Sequence, residues 1–438
     1  MRARAGGGVI AHVNADAVHR QLAALWRMES PRLLARVARI TGNLDTAEEL
    51  AQDVLVSALE RWPRDGVPDK PAAWLMTAAK HRAIDHQRQR QLHARKQVQY
   101  GIELELHGAD MQGDDAQRLA DDDIGDDLLR LLFVSCHPVL PRESRVALTL
   151  RLLGGLSTAE IARAFLQPEP TVAQRIVRAK RTLADRQVAF EVPRKAELPE
   201  RVDAVLEVLY LVFNEGYAAT SGADWMRPAL CEEALRLGRV LAGLLPRETE
   251  VLGLLALMEL QASRIPARTG PDGSPILLLQ QNRSRWDHLQ IRRGLQALAR
   301  ARQLGGGSRP YVIQAMLAAC HAQALRAEET DWARIAALYA ALMQVAPSPV
   351  VELNRAVAVG KAHGAGAALA LVDGLRAEPQ LRDYPPLPAV RGDLLQQLGS
   401  LNEARAEFAR AASLTGNARE RDVLLARAAA CGSPSTSS

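Results

Sequence analysis

The chain has 438 residues, of which 48% are apolar, 24% charged and only 4% aromatic, with a net charge of +5. The apolar share is too high for a disordered chain and can fill several cores, so at about 150 residues each three domains are expected. Few aromatics beside many Ala and Leu favour helix over strand, and no apolar run approaches the ~20 residues of a membrane span. The opening residues Met1–Gly8 lack the apolar stretch of a secretory signal. Cys136, Cys231, Cys320 and Cys431 show no CxxC spacing, which argues against a disulfide framework or zinc ribbon and fits a reducing cytoplasm.

Charge is unevenly placed. Residues 1–100 carry +6, 101–127 carry −9, 128–195 carry +7 and 196–438 carry +1. Two basic blocks around an acidic strap point to a polyanionic partner for the first part of the chain and not for the rest.

Asp45 to Glu60 predicts an amphipathic helix. Asp45 and Glu48 have the spacing of a capping box. Ala47, Leu50, Ala51, Val54, Leu55, Ala58 and Leu59 form one apolar stripe, and the other face presents Glu48, Glu49, Gln52, Asp53 and Ser57. Pro63 to Pro71 reads as a loop. A second helix, about Ala72 to Arg90, carries Trp74, Lys80, His81, Arg82, His86, Arg88 and Arg90. A basic helix beside an aromatic suits single-stranded nucleic acid, with charge for phosphates and a π-face for unstacked bases. Gly101 to Asp127, with its cluster Asp121, Asp122, Asp123, Asp126 and Asp127, reads as a solvated acidic linker rather than a metal loop.

Beyond the linker, Ser157 and Glu160 predict a capping box with Leu156 and Ile161 as its staple. A short helix, a tight turn around Leu166 to Glu169 and a second helix from Thr171 to Leu183 follow. In that helix Val172, Ile176, Ala179 and Leu183 share one face, and Thr171, Gln174, Arg175, Arg178 and Arg181 another. This pattern describes a helix-turn-helix whose second helix offers Gln and Arg to base edges in the major groove. From Leu198 onward helix follows helix: Arg201–Asn214, Pro228–Leu245, Glu248–Ser263, Arg285–Gln303, Tyr311–Ala327 and Trp332–Val345. Leu398 to Ala411, with Ala404 and Phe408 in A-x3-F spacing, partly matches a tetratricopeptide repeat. A helical array would bury so many amphipathic helices. Asn214-Glu215-Gly216-Tyr217 reads as a helix end with Gly216 in the left-handed conformation. Asn282 to Asp287 reads as an ordered loop held by Arg–Asp pairing, Gly305-Gly306-Gly307 as a helix–helix loop, and the Ser-rich residues 432–438 as a disordered tail.

The motif Leu44-Asp-Thr-Ala-Glu-Glu-Leu-Ala-Gln-Asp53, with Pro71-Ala-Ala-Trp-Leu and Lys80-His-Arg-Ala-Ile-Asp85, resembles region 2 of extracytoplasmic-function sigma factors of the sigma-70 family. Leu156 to Leu183 resembles their region 4, and Leu209-Tyr-Leu-Val-Phe-Asn-Glu-Gly-Tyr217 the subgroup with a long tetratricopeptide-like C-terminal extension. The resemblance implies an all-α chain. Region 2 would span 15–100, the acidic linker 101–127, helix-turn-helix region 4 128–192, and the helical-repeat extension 198–431. It implies that Glu48, Glu49, Gln52 and Asp53 contact the β′ clamp helices of core RNA polymerase, and that region 4 meets the β flap. Trp74, Lys80, Arg82, His86 and Arg88 would hold the −10 promoter element, and Thr171, Gln174, Arg175, Arg178 and Arg181 would read the −35 element. The linker would run through the polymerase channel.

The expected function is therefore promoter-specific transcription initiation without enzymatic activity, cofactor or metal, the extension regulating or supporting it through a protein partner. A helix-turn-helix regulator with a sensory helical domain is one alternative, and an enzyme in the extension another. The extension shows no nucleophile–base pattern or metal spacing, and His137, His288, His321 and His363 stand alone.

Overall fold

The structure, a computed structural model, describes residues 7–99, 124–165, 167–194, 196–219, 221–222, 225–271 and 273–432. Their side chains are described except at 7–16, 27, 94–99, 124–126, 163 and 221–222. Most of the acidic linker (100–123) and the Ser-rich tail (433–438) lie outside the described residues. The chain divides into two units, Met1–Val208 and Leu209–Ser438.

In the first unit, α1 (Gly7–Thr41), α2 (Leu44–Asp65) and α3 (Pro71–Gln99) enclose a core that includes Leu22, Leu33, Val37, Val54, Trp62 and Leu75. The stripe expected on α2 is buried at Ala47, Leu50, Ala51, Val54 and Ala58, whereas Leu59 is exposed. The expected Asp45–Glu48 capping box is not formed. Asn43 caps α2 instead, its side chain accepting from the Thr46 N–H at 2.9 Å. Nor does Pro63 open a loop: α2 continues to Asp65, its last turn anchored by the buried Trp62 indole, and ends where Gly66 takes φ 89°.

The next helix, α4 (Ile124–Ser135), starts inside the expected linker and packs against α1. Asp127, expected in solvent, is completely buried. It is ion-paired to Arg36 at 3.0 Å, Arg39 at 3.2 Å and Arg130 at 2.7 Å. Burial pushes the Asp127 carboxyl above its ordinary pKa, and the charges of Arg39, Arg36 and Arg130 offset only part of that cost, so the cluster stands or falls as a unit. Then come α5 (Arg142–Leu152), α6 (Thr158–Ala164) and α7 (Glu169–Asp185). Val188 to Phe190 then return toward the first core, where Phe190 packs. α8 (Leu198–Tyr217) begins beyond Pro193 and crosses the boundary between the units. Its first turns belong with α4 and α5: Arg201 donates to the Phe133 carbonyl at 2.6 Å, and Glu207 pairs with Arg142 at 3.1 Å and Arg145 at 3.0 Å. The expected domain start at 198 thus falls inside this packing.

Among the described residues, the β pairing of the second unit is limited to two-residue parallel strands, Ser221–Gly222 with Gly416–Asn417, and the isolated bridge Thr269–Pro275; the rest is helices and their connections. It runs through α9 (Pro228–Leu244), α10 (Thr249–Ala262), α11 (His288–Gln303), α12 (Pro310–Gln323) and α13 (Trp332–Val345). It ends with α14 (Pro349–His363), α15 (Ala365–Gly374), α16 (Pro386–Gln397), α17 (Leu401–Leu414) and α18 (Ala418–Ala430). Each helix packs on its neighbour in the chain, and α10 on both α11 and α12. Phe408 of α17, part of the A-x3-F pattern, is buried against Gly392 of α16, where a Cβ would meet its ring at 2.8 Å. Gly216 does not end its helix in the left-handed conformation. It lies within α8, where a Cβ would meet the Cys231 backbone nitrogen at 2.7 Å, so glycine here serves close helix packing.

Removing one member of a buried ion cluster costs about 3–5 kcal/mol, whereas exposed pairs contribute about 0–1 kcal/mol. Asp127→Ala is therefore expected to lower the unfolding free energy by roughly 3–5 kcal/mol. Asp185→Ala, which breaks only the exposed Arg181 pair, should change it by less than about 1 kcal/mol. Urea unfolding of the two variants checks this; equal effects would refute the buried cluster.

Candidate nucleic-acid interface

The helix-turn-helix of α6 and α7 is built as its residues suggest. The Ser157 N–H donates to Glu160 Oε2 at 2.7 Å and the Glu160 N–H donates to Ser157 Oγ at 3.1 Å, a complete capping box. Pro168 occupies the N-cap of α7, with Pro170 in the first turn, where no intrahelical N–H is lost. Val172, Ile176, Ala179 and Leu183 are all buried. Thr171, Gln174, Arg178 and Arg181 are exposed on the remaining surface of the helix. Arg175 differs: it is half-buried, and its guanidinium donates to Gln167 Oε1 at 2.6 Å, bracing the turn.

On α3, Arg88 is exposed and only loosely paired with Asp85 at 3.9 Å. Lys80 and His86 are half-buried, and Arg82 is half-buried with its guanidinium donating to Ser57 Oγ of α2 at 2.5 Å. Trp74 is not a free platform for bases. It meets Trp62 edge-on with centroids 5.6 Å apart and helps close the region 2 core.

The acidic face of α2 is split. Glu49, Gln52 and Asp53 are exposed, but Glu48 is covered. Lys180 of α7 reaches Glu48 Oε2 at 2.8 Å and also pairs with Asp45; Arg151 of α5 reaches Glu48 Oε1 at 3.3 Å. The two helices that resemble region 2 and region 4 thus meet through Lys180 and the carboxylates of Asp45 and Glu48. Neither cation was singled out from sequence, although Lys180 sits beside the buried stripe of Ile176, Ala179 and Leu183, a place where a cation needs a counter-charge.

Three family models match this chain: Sigma-70 region 2 over residues 25–93, Sigma-70 region 4 over 130–183, and a family of unknown function (DUF6596) over 201–302. An uncharacterized protein, R00370, of Rhizobium meliloti (strain 1021) is 44% identical over 391 residues, covering 89% of this chain and 91% of the relative. The ECF RNA polymerase sigma factor SigK of Mycobacterium ulcerans is 29% identical over 156 residues, 35% of this chain and 78% of the relative. SigK of Mycobacterium bovis (strain BCG / Pasteur 1173P2) is 30% identical over 152 residues, 34% of this chain and 75% of the relative. The chain belongs to the extracytoplasmic-function sigma factors of the sigma-70 family. Among the described residues, no helix of this sigma factor is long and apolar enough to cross a membrane.

Burial favours the neutral amine of Lys180, but the hydrogen bonds and charges of Asp45 and Glu48 outweigh it and hold its pKa above the ordinary 10.5. A cation with a raised pKa contributes its full stability below the unfolded value and loses it as pH climbs through the folded value. The stability difference between the wild type and Lys180→Met should therefore be flat through the neutral range and shrink only above pH 10.5. Urea unfolding across pH measures it; a difference that vanishes in the neutral range would contradict the contact.

Proposed function

We infer that this chain is a sigma factor that binds core RNA polymerase and directs promoter-specific initiation of transcription. The carrying observation is α7, a helix with one face fully committed to its core and Thr171, Gln174, Arg178 and Arg181 exposed. That is the residue set for base edges and phosphates in a major groove. In this reading α7 takes the −35 element, with Arg175 positioning the turn through Gln167. Lys80, Arg82 and Arg88 of α3 hold the −10 element by charge and His86 by hydrogen bonding, and the half-buried Trp74 offers only part of its ring. The exposed Glu49, Gln52 and Asp53 are the polymerase contacts in place before binding.

Glu48 belongs to the same acidic face but is engaged by Lys180 and Arg151. We read the described arrangement as closed: polymerase contacts through Glu48 compete with these pairs, so binding separates α7 from α2. The helices after residue 208 serve as a protein-interaction unit acting on the sigma part. The packing of each helix on the next, from α9 to α18, supports that role, since such arrays present extended surfaces to other proteins.

In transcription reactions with core polymerase and a promoter library, Arg178→Ala is expected to weaken promoter use by about 1–3 kcal/mol with relaxed preference at one base position. A loss that is uniform across promoters, with a salt slope lower by about one, would make Arg178 a phosphate contact. An unaffected variant would remove α7 from the promoter. Separately, Lys180→Ala should raise the affinity of the full chain for core polymerase by about three- to tenfold, the equivalent of ~1 kcal/mol of lost closed contact. Unchanged affinity would mean the Glu48 contact does not compete with polymerase.

A further inference from the structure

Within the second unit, three arginines gather without a carboxylate. Arg268 is 5% exposed; its guanidinium lies 3.6 Å from the Tyr217 ring centroid and 4.9 Å from that of Trp225. Arg264 stands 5.8 Å from the Tyr217 ring and 5.7 Å from the Trp286 ring. Arg283, also buried, stands 5.0 Å from the Trp286 ring. Their hydrogen bonds go to neutral acceptors. Arg268 donates to the Tyr217 carbonyl and Arg264 to Gln261 Oε1, while Arg283 donates to the His321 and Ala324 carbonyls and to Thr330 Oγ1. Asp287, expected to pair with an arginine of its own loop, instead caps α11 by accepting from the Leu289 and Gln290 N–H groups.

Among the described residues, none of the three forms an ion pair. Glu328 and Glu329 act on Arg283 only at a distance, and Glu329 is held by Arg326. The surrounding groups deepen the imbalance. Tyr217 Oη, Trp225 Nε1, Trp286 Nε1, Arg264 Nε and Arg283 Nε are buried without a partner, and each can donate a hydrogen bond. Burial, then the charges of Arg264 and Arg283, drives the neighbouring His321 imidazole down to about 4, as expected beside excess positive charge. Cation–π contacts offset part of the cost of burying these charges. They supply no acceptor for the unpaired donors, and a buried donor left unmet destabilises the fold.

We propose that this cluster is a binding site for a phosphate group, either free phosphate or a phosphomonoester, in the part of the chain that the family of unknown function covers. The chemistry of the donors selects the ligand. Guanidiniums match phosphate oxygens in bidentate geometry, and a phosphate brings up to two charges with at least three acceptor oxygens. A lone carboxylate brings one charge and two oxygens, too few for three cations and the unpaired donors around them. This inference is independent of the promoter reading.

The test uses the full chain. Melting temperature and tryptophan fluorescence are followed while inorganic phosphate, phenyl phosphate or acetate is titrated against chloride at equal ionic strength. Phosphate should give a saturable rise in melting temperature and a fluorescence change that chloride and acetate do not. Stronger binding of phenyl phosphate identifies an ester as the ligand; equal or weaker binding identifies free phosphate. Arg264→Gln, at the half-buried member of the trio, should weaken the response at least about tenfold while Arg178→Ala leaves it intact. If Arg264→Gln does not fold, Arg264→Lys should weaken it through loss of the planar fork. A response absent beyond chloride, matched by acetate, or unchanged in the Arg264 variant that folds would overturn the proposal.

Discussion

A carboxylate on α2, Glu48, ties that helix to both α5 and α7. It is largely buried, and it satisfies an ammonium from α7 and a guanidinium from α5 at the same time. A part-buried charge shared in this way is poorly screened by salt and costly to strip of its partners. The acidic face of α2 is therefore divided between residues that wait in solvent and one that is already occupied. The relation between α2 and α7 follows from that division, and in the proposed reading so does the change on binding polymerase.

The closed arrangement has a second, deeper tie. Asp127 fastens α4 to α1 through Arg36 and Arg39, and it is completely buried where Glu48 is not. The difference in burial sets a difference in role. Breaking the Asp127 cluster would leave guanidiniums without a counter-charge and is disfavoured under any condition in which the chain is folded. The Glu48 pairs lie nearer the surface, and in the proposed reading polymerase groups take their place. Opening is thus expected at the Glu48 contact with the Asp127 contact intact, so that α7 moves while α4 stays on α1.

What could be read from sequence was local. Val172, Ile176, Ala179 and Leu183 are buried together because a helical period needs only its own turn of the chain to be recognised. The Ser157–Glu160 box formed for the same reason. The failures that shape the site are long-range, while the Asn43 cap of α2 and the helical Pro63 are local ones. Asp127 reads as one more acid in an acidic run, because its partners Arg36 and Arg39 lie some ninety residues earlier. Two cations three residues apart inside the apolar stretch Leu33 to Ile40 were the available sign of a buried counter-charge. Glu48 was assigned to α2's cap, but Asn43 supplied a better-placed acceptor and freed Glu48 to turn toward Lys180. Trp74 has the composition of a base-stacking residue, and Trp62 across the core claimed most of it. In the second unit the Arg264, Arg268 and Arg283 cluster left no motif, since its members come from separate turns brought together by packing.

The most direct measurement is the distance between α2 and α7 in the full-length chain, from labels at the exposed positions Arg61 and Arg186, with and without core RNA polymerase. The account predicts a single short distance for the free chain, replaced by a longer one when core polymerase is added. A distance that polymerase leaves unchanged, or a free chain that never shows the short one, would contradict it.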